Sequence, residues 1–327
     1  MNYRPLGKTG LSVSEIGFGC WGIGGVAPGT KSYGPTDDAE SIRTLHRALE
    51  RGVNFYDTSD LYGLGHSEEV LAAAFLGRRT DVLIASKAGF VVDASGKQHQ
   101  QFTPQHIRSA IERSLQRLRT DYIDLYQLHD PPMDDLRADP SAIEVMKSLL
   151  AEGKIRAWGI SARSPADGLI AVQHFHAPAI QINFNMIDQR AVQIGLLDAC
   201  VRAGAGIIAR TPLCFGFLTG RYNAQTRFDP DDHRAGWPIE QIALWASAPE
   251  LFRRALNPPV EQTSSQLALR YCLSYPAIST IIPGFLKPQE VDENLAAADL
   301  GPLLPAARAA AESVYQEHVF FAARKGA

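Results

Sequence analysis

The 327-residue chain is long enough for one large domain or two ordinary ones, and 45% hydrophobic with 20% charged residues is the composition of an ordinary soluble globule. A net charge of −3 without any Lys/Arg run argues against nucleic acid or an anionic membrane surface as a partner. No apolar run approaches the ~18 residues of a spanning helix. The N-terminus, MNYRPLGKTGLSV, is polar and turn-rich rather than signal-like, and Cys20, Cys200, Cys214 and Cys272 are scattered, with no C-x-x-C. They read as reduced thiols of a cytoplasmic protein.

In chain order, RPLGKTGLSVSEIG reads as a hairpin with its turn at Lys8–Gly10. In EIGFGCWGIGG, residues Gly17, Gly19 and Gly22 spell G-x-G-x-x-G. A Rossmann site needs those glycines to end a strand and open a helix at once. Here glycines and prolines follow, and the first helical pattern begins near Asp37, so the Rossmann reading fails its context. Strand 53–58 comes next, then the helix SEEVLAAAFLG and strand 81–87. TPQHIRSAIERSLQRL opens with a Thr cap and Pro at the first helical position and keeps Ile107, Ile111, Leu115 and Leu118 at helical spacing. Strand 121–129, the helix SAIEVMKSLLAEG, strand 154–161, the helix PADGLIAVQHF and strand 178–185 continue the rhythm. The helix AVQIGLLDACVRAG and the strand AGIIAR precede a long interruption at 212–260. The helix TSSQLALRYCLSY, strand 279–284, the helix KPQEVDENLAAA and a last helix over 302–323 complete the chain.

Counting the short strand near residue 16, the chain holds eight strands, each followed by a helix. Strict alternation implies parallel strands, and eight units favour a closed α/β (β/α)8 TIM barrel over an open doubly wound sheet. The hairpin would cap its bottom and the last helix would be an addition. With no Gly/Ser-rich linker, residues 1–327 read as a single domain.

A barrel carries its chemistry at the C-terminal strand ends and the loops after them. There the sequence places Asp57, with Tyr62 five residues on, then Lys87 and His129. Singly, each has an ordinary explanation as a turn cap, a loop aromatic, a surface lysine or a structural histidine. Together they make a tuned acid/base. A phenol, with a pKa of about 10, is a poor proton donor near neutrality. A nearby Lys⁺ stabilises the phenolate and is expected to lower that value. Asp57 would hold the Lys87 ammonium, and His129 would orient a carbonyl beside Tyr62 or help pass the proton. Nothing here is a redox centre, so something else must carry the electrons, and a nicotinamide cofactor fits.

At these residues the chain resembles the aldo-keto reductase family. The likeness runs through IGFGCWGIGG, NFYDTSDLYGLGHSEEVL, LIASKAG, IRSAIERSLQRLRTDYIDLYQLHDPP, IRAWGIS, TPLCFGFLTGRY and IIPGFLKPQEVDENL, nearly the whole chain. It implies the same barrel, no metal, and reduction of an aldehyde or ketone, or the reverse oxidation, with Asp57, Tyr62, Lys87 and His129 as tetrad and Tyr62 as proton donor. The cofactor implied is NADP(H), with NAD(H) open as the alternative. Gly19, Cys20 and Trp21 would lie beside the nicotinamide, with Asp57 near it, and Ser161 and Gln181 would bind its carboxamide. Arg210 stands where an aromatic often stacks, and a guanidinium can also stack flat. Thr211, Pro212 and Leu213 would follow the pyrophosphate, with Gly216, Leu218, Gly220 and Arg221 continuing that loop. Gly284, Lys287, Glu290 and Asn294 would take the adenosine end.

Departures bear on the cofactor. Ala162 replaces a common Asn, Leu286 stands where Arg or Ser is frequent, and Glu290 stands where Gln is common. Lys287 could supply charge for a 2′-phosphate, whereas Glu290 would repel it or bind a 2′-hydroxyl. Trp21, Tyr62, Phe90, His129 and Phe215 are candidate walls of a pocket for a small carbonyl or sugar-like substrate. Loops 21–33, 88–100 and 214–237 would select it, and 221–237 could form a lid. DPDDH (229–233) reads as a solvated turn rather than a metal cluster, and His174 and His176 as surface residues. Two other functions fit the same residues: an NAD-dependent sugar or cyclitol dehydrogenase, and a cofactor-sensing binding partner with little turnover.

Overall fold

A computed structural model describes residues 1–256 and 261–322. Strands β1 (Tyr3–Pro5) and β2 (Ser12–Ser14) form an antiparallel hairpin. The barrel begins with β3 (Phe18–Gly19), β4 (Phe55–Asp57) and β5 (Leu83–Ala88). A second hairpin, β6 (Phe90–Val92) and β7 (Gln98–Gln100), follows. The barrel resumes with β8 (Ile123–His129), β9 (Ile155–Ser161), β10 (Ala179–Asn183), β11 (Gly206–Arg210) and β12 (Ile278–Ile282). The order β3-β4-β5-β8-β9-β10-β11-β12 is parallel throughout.

Parallel bridges Ile16–Ile281 and Gly19–Gly284 bring the first strand to the last and close the barrel. The Gly17 and Gly19 amides donate to the Ile281 and Pro283 carbonyls, each at 2.8 Å. A Cβ on Gly19 would stand 2.8 Å from the Ile282 carbonyl oxygen, and one on Gly17 2.9 Å from that of Phe55. The sequence signal resembling a dinucleotide fingerprint is therefore first a packing requirement of the first barrel strand against both its neighbours. As expected, no α-helix opens there, and the first runs Asp38–Glu50 with Asp37 capping the Glu40 amide.

Alternation along the strands builds the interior in layers. At the bottom, Phe55, Ala85, Leu125, Ala157, Ala179 and Ile208 pack with Leu6, Leu11 and Val13 of the hairpin. The Lys8 amide donates to Gly204 just before β11, so the hairpin plugs the N-terminal end. One layer up, the same inward faces carry Asp57, Lys87, Gln127, Gln181 and Arg210. A larger apolar cluster lies between sheet and helices.

Besides the β6–β7 hairpin, which the sequence reading did not include, three helical segments depart from it. The expected helix 191–204 breaks at Gly195 (φ +71°) into Arg190–Gln193 and Leu196–Ala203. The interruption at 212–260 holds a helix, Ile239–Ala255, that carries Pro249 within it. A short helix, Met133–Ala138, follows β8. The last helix is Pro305–Glu317, and position 323 lies outside the described residues.

Candidate active site

Asp57 ends β4 and Lys87 lies near the end of β5, both fully buried, and their side chains meet at 2.6 Å. The Lys87 ammonium also donates to the Thr58 carbonyl at 2.7 Å and to the Tyr62 hydroxyl oxygen at 3.3 Å. Its three protons thus have three acceptors. Because the Tyr62 oxygen accepts from Lys87, its own proton is free to be donated elsewhere. Asp57 is further fixed by Gln181 (2.7 Å) and Gln127 (3.3 Å), whose amide nitrogens donate to its second oxygen. Gly24, in the turn after β3, gives the Tyr62 loop room, since a Cβ there would come within 3.0 Å of the Tyr62 carbonyl carbon.

Electrostatically the site differs from the sequence expectation at Tyr62. Burial dominates and raises the phenol above its ordinary value, and the Lys87 charge opposes that rise without reversing it. Lys87 stays a cation: burial pushes it down, but Asp57 and Tyr62 outweigh this and raise it. Burial, then the Lys87 and Arg210 charges, push His129 well below the usual imidazole range, so it is neutral. Its Nδ1 faces the Ser59 hydroxyl at 3.2 Å, and Phe90 meets its ring edge-on at 5.0 Å. Burial and the Asp57 charge raise Cys20, which remains a thiol.

A cavity of about 630 Å³ opens over this cluster, within the usual range of small-ligand sites. Gly19, Cys20, Trp21, Asp57, Tyr62, Phe90, His129, Gln181, Arg210, Thr211, Pro212, Leu213, Phe215, Gly216, Arg221, Gly284, Glu290 and Asn294 line it, as the sequence suggested. Four proposed cofactor residues do not. Ser161 lies beneath Arg210, its hydroxyl 3.4 Å from that guanidinium. Leu218 faces the core, and Gly220 (φ +77°) turns the chain against Ser264. Lys287 stands just before the helix Pro288–Leu300 and does not line the cavity, while its neighbour Leu286 does.

The residues present suit a dinucleotide. The Arg210 guanidinium crosses Ser161 to Asp130 (3.3 Å) and the Ala162 carbonyl (3.2 Å), yet its Nε is buried without a partner. After β11, Thr211 (φ +56°), Cys214 (φ +44°) and Phe215 (φ +55°) hold left-handed backbone that L-residues rarely adopt. The Asn185 amide donates to the Thr211 carbonyl at 2.9 Å and keeps that turn in place. At the far end Glu290 accepts from the Leu286 amide (2.9 Å) and pairs with Arg221 (2.7 Å).

Segment 221–237 contributes Arg221, Tyr222 and Arg234 to the cavity wall. The Asp232–Arg234 pair is buried, and Arg234 also donates to Tyr222 and to the Phe215 carbonyl. His233, between them, packs on Trp21 (4.5 Å), Phe215 (5.3 Å) and Trp237 (5.0 Å). His174 and His176 are exposed, as expected. Among the described residues no group of three His, Cys, Asp or Glu could hold a metal ion. Sequence reasoning missed Ser59, Gln127, Asp130 and Arg234. Period-two spacing from His129 could have found Gln127, but nothing local marks the other three.

The model of the Aldo/keto reductase family matches residues 15–315, a span that holds all of these side chains. The chain belongs to the aldo/keto reductase family. The Bacillus subtilis aldo-keto reductase YhdN is 33% identical over 302 residues, 89% of this chain and 87% of that protein. An L-galactose dehydrogenase of Arabidopsis thaliana is 30% identical over 90% of this chain and 87% of its own. Among solved structures, the glycerol dehydrogenase AKR11B4 of Gluconobacter oxydans superposes with a TM-score of 0.80 at 29% identity, covering 99% of this chain and 98% of that one. As an aldo/keto reductase the protein is an oxidoreductase that interconverts carbonyl and alcohol with a nicotinamide dinucleotide.

Proposed function

We propose that this enzyme reduces a small aldehyde or ketone, a sugar-like carbonyl included, with Tyr62 as the general acid. The observation that carries the reading is the saturated Lys87 ammonium, which donates to Asp57, Thr58 and Tyr62 and leaves the Tyr62 proton for the substrate. When bound, the reduced nicotinamide supplies the hydride. Tyr62 gives its proton to the carbonyl oxygen, and Lys87, held by Asp57, stabilises the phenolate left behind. Neutral His129 fixes the oxygen beside Tyr62, and Trp21, Phe90 and Phe215 exclude water. In the oxidative direction the phenolate takes the alcohol proton. The names of the Gluconobacter and Arabidopsis relatives favour that second direction.

The cofactor-binding reading rests on the lining residues. Arg210 and Gln181 would face the nicotinamide, the loop from Thr211 to Gly216 would follow the pyrophosphate, and Glu290, Arg221 and Asn294 would take the adenosine end, all three groups lining the cavity. A 2′-phosphate would have to take Arg221 from Glu290, whereas a ribose 2′-hydroxyl could donate to Glu290 directly. That end therefore favours NAD(H) over NADP(H). Four free, buried cysteines suit a reducing compartment such as the cytoplasm.

The test is stopped-flow oxidation of NADH and NADPH against aldehydes, ketones and free sugars. Tyr62→Phe is expected to lose about 10²–10⁴ in turnover while cofactor affinity survives. Equal loss of both would count against Tyr62 as the acid, and tight cofactor binding without Tyr62-dependent turnover would indicate a sensor.

A further inference from the structure

Behind His129 lies a chain of polar groups that the hydride step does not use. Ser59, fully buried, faces His129 Nδ1 at 3.2 Å, donates to Asp60 Oδ1 at 3.3 Å, and accepts from the Leu61 amide at 3.2 Å. Asp60 is half-buried in the loop after β4. Burial and the Glu68 carboxylate raise it to about 7, against the pull of Arg117, the Ser59 hydroxyl and Arg113. Glu68, from the helix His66–Ala74, is itself fixed by Ser86 (2.6 Å) and by Arg117 (2.7 Å) of the helix Pro104–Leu118. Tyr126 of β8 adds a buried hydroxyl with no hydrogen-bond partner to the same surroundings. The Asp60 amide donates to the Lys87 carbonyl at 3.3 Å, which fastens the loop to β5.

A count of protons gives this chain two complete states. Ser59 has one hydrogen and two lone pairs, and Leu61 always occupies one of the pairs. With Asp60 ionised, Ser59 must donate to it, so His129 must bring its own hydrogen on Nδ1, which leaves Nε2 as a bare acceptor. With Asp60 protonated, the carboxyl donates to Ser59, Ser59 donates to Nδ1, and the imidazole hydrogen resides on Nε2. Every group is satisfied in both states. One proton entering at Nε2 converts the first into the second: Nδ1 passes its proton to Ser59, and Ser59 passes its own to Asp60. His129 is neutral throughout, so the tautomer changes and the ring charge does not.

We propose that Ser59 and Asp60 are positioning residues that set the His129 tautomer and so match the site to the oxidation state of its substrate. A carbonyl oxygen needs a donor, which is the Nε2–H form. An alcohol bears its own proton and needs an acceptor, which is the bare Nε2 form. Proton uptake at Asp60 thus favours reduction, and proton loss favours oxidation. The idea rests on His129 as the residue that orients the substrate oxygen.

Two measurements test it. In protein labelled with 15N-histidine and free of substrate, His129 should move from the Nε2–H to the Nδ1–H tautomer as pH rises through neutrality. Asp60→Asn, whose amide does not titrate, should hold one tautomer throughout that range. A wild-type His129 with the same tautomer at pH 6 and pH 8 overturns the relay whether or not a substrate has been found. In kinetics, wild-type reductive kcat/KM should fall by up to about tenfold per pH unit above an inflection near neutrality, while the oxidative value rises. Tyr62 titrates above that range and His129 below it, so neither can supply the inflection. Asp60→Asn should abolish it. Ser59→Thr, which keeps the hydroxyl, should retain it where Ser59→Ala does not. An inflection that survives in Asp60→Asn overturns the proposal. Tautomer exchange as predicted, with no Tyr62-dependent turnover, would leave the relay standing and remove the reductase reading instead.

Discussion

At the scale of single residues, the Asp57–Lys87 pair is costly to break. Lys87→Met leaves a buried carboxylate unpaired, a loss of about 3–5 kcal/mol measurable by urea denaturation, and activity should vanish with it. Adding Asp57→Asn should recover part of the stability and none of the activity, which separates folding from catalysis. At the adenosine end, Glu290→Gln removes the charge that opposes a 2′-phosphate and frees Arg221 to meet it. The ratio of NADPH to NADH affinity should rise about tenfold or more, corresponding to about 1.4 kcal/mol, and an unchanged ratio would put the discrimination elsewhere. The tetrad was legible in the sequence because a barrel strand converts sequence position directly into depth. Asp57, Lys87 and His129 sit near strand ends, and that placement needs no knowledge of neighbours. Ser59 and Asp60 were not legible, because their role depends on a contact with His129 from another strand.

Among the elements, βα alternation could be read because strands and helices carry different periods, and cap residues such as Thr103 and Ser164 mark helix starts. The β6–β7 hairpin escaped because QHQ has no apolar alternation and lies over the mouth rather than in the sheet. The helix Ile239–Ala255 escaped because Pro249 reads locally as a break. Segment 221–237 is where an element meets function. If it is a lid, cofactor should protect it from limited proteolysis, and Arg221–Glu290 should tie it down. Its seal also depends on pH. Burial lowers His233 to about 4, so its packing on Trp21 is fully present above the ordinary imidazole value near 6.5 and is lost progressively as pH falls toward 4. Cleavage within the segment should be faster at pH 5 than at pH 7.5, and His233→Phe should flatten that difference.

Over the whole molecule, stability and chemistry occupy opposite ends. The hairpin residues Leu6, Leu11 and Val13 fill the bottom of the barrel, and the tetrad lies a layer above. Gly206, at the start of β11, has no room for a side chain, since its Cβ would stand 2.6 Å from the Leu6 carbonyl carbon. Gly206→Ala should therefore cost about 1–3 kcal/mol or more in unfolding free energy. Where it remains folded, kcat and KM should be nearly those of the wild type. A change in kcat without a change in stability would show that the two ends communicate.

The seam between β3 and β12 has a consequence for how the protein is made. Its two sides come from opposite ends of the chain, so at ~5–20 residues per second the growing polypeptide carries an open sheet for most of its synthesis. Until the segment after Ile278 leaves the ribosome, the Gly17 and Gly19 amides have no carbonyl to meet and Glu290 and Asn294 do not yet exist. Catalytic competence must then arrive in one late step, and any chain released early presents two bare strand edges to a chaperone or to its neighbours.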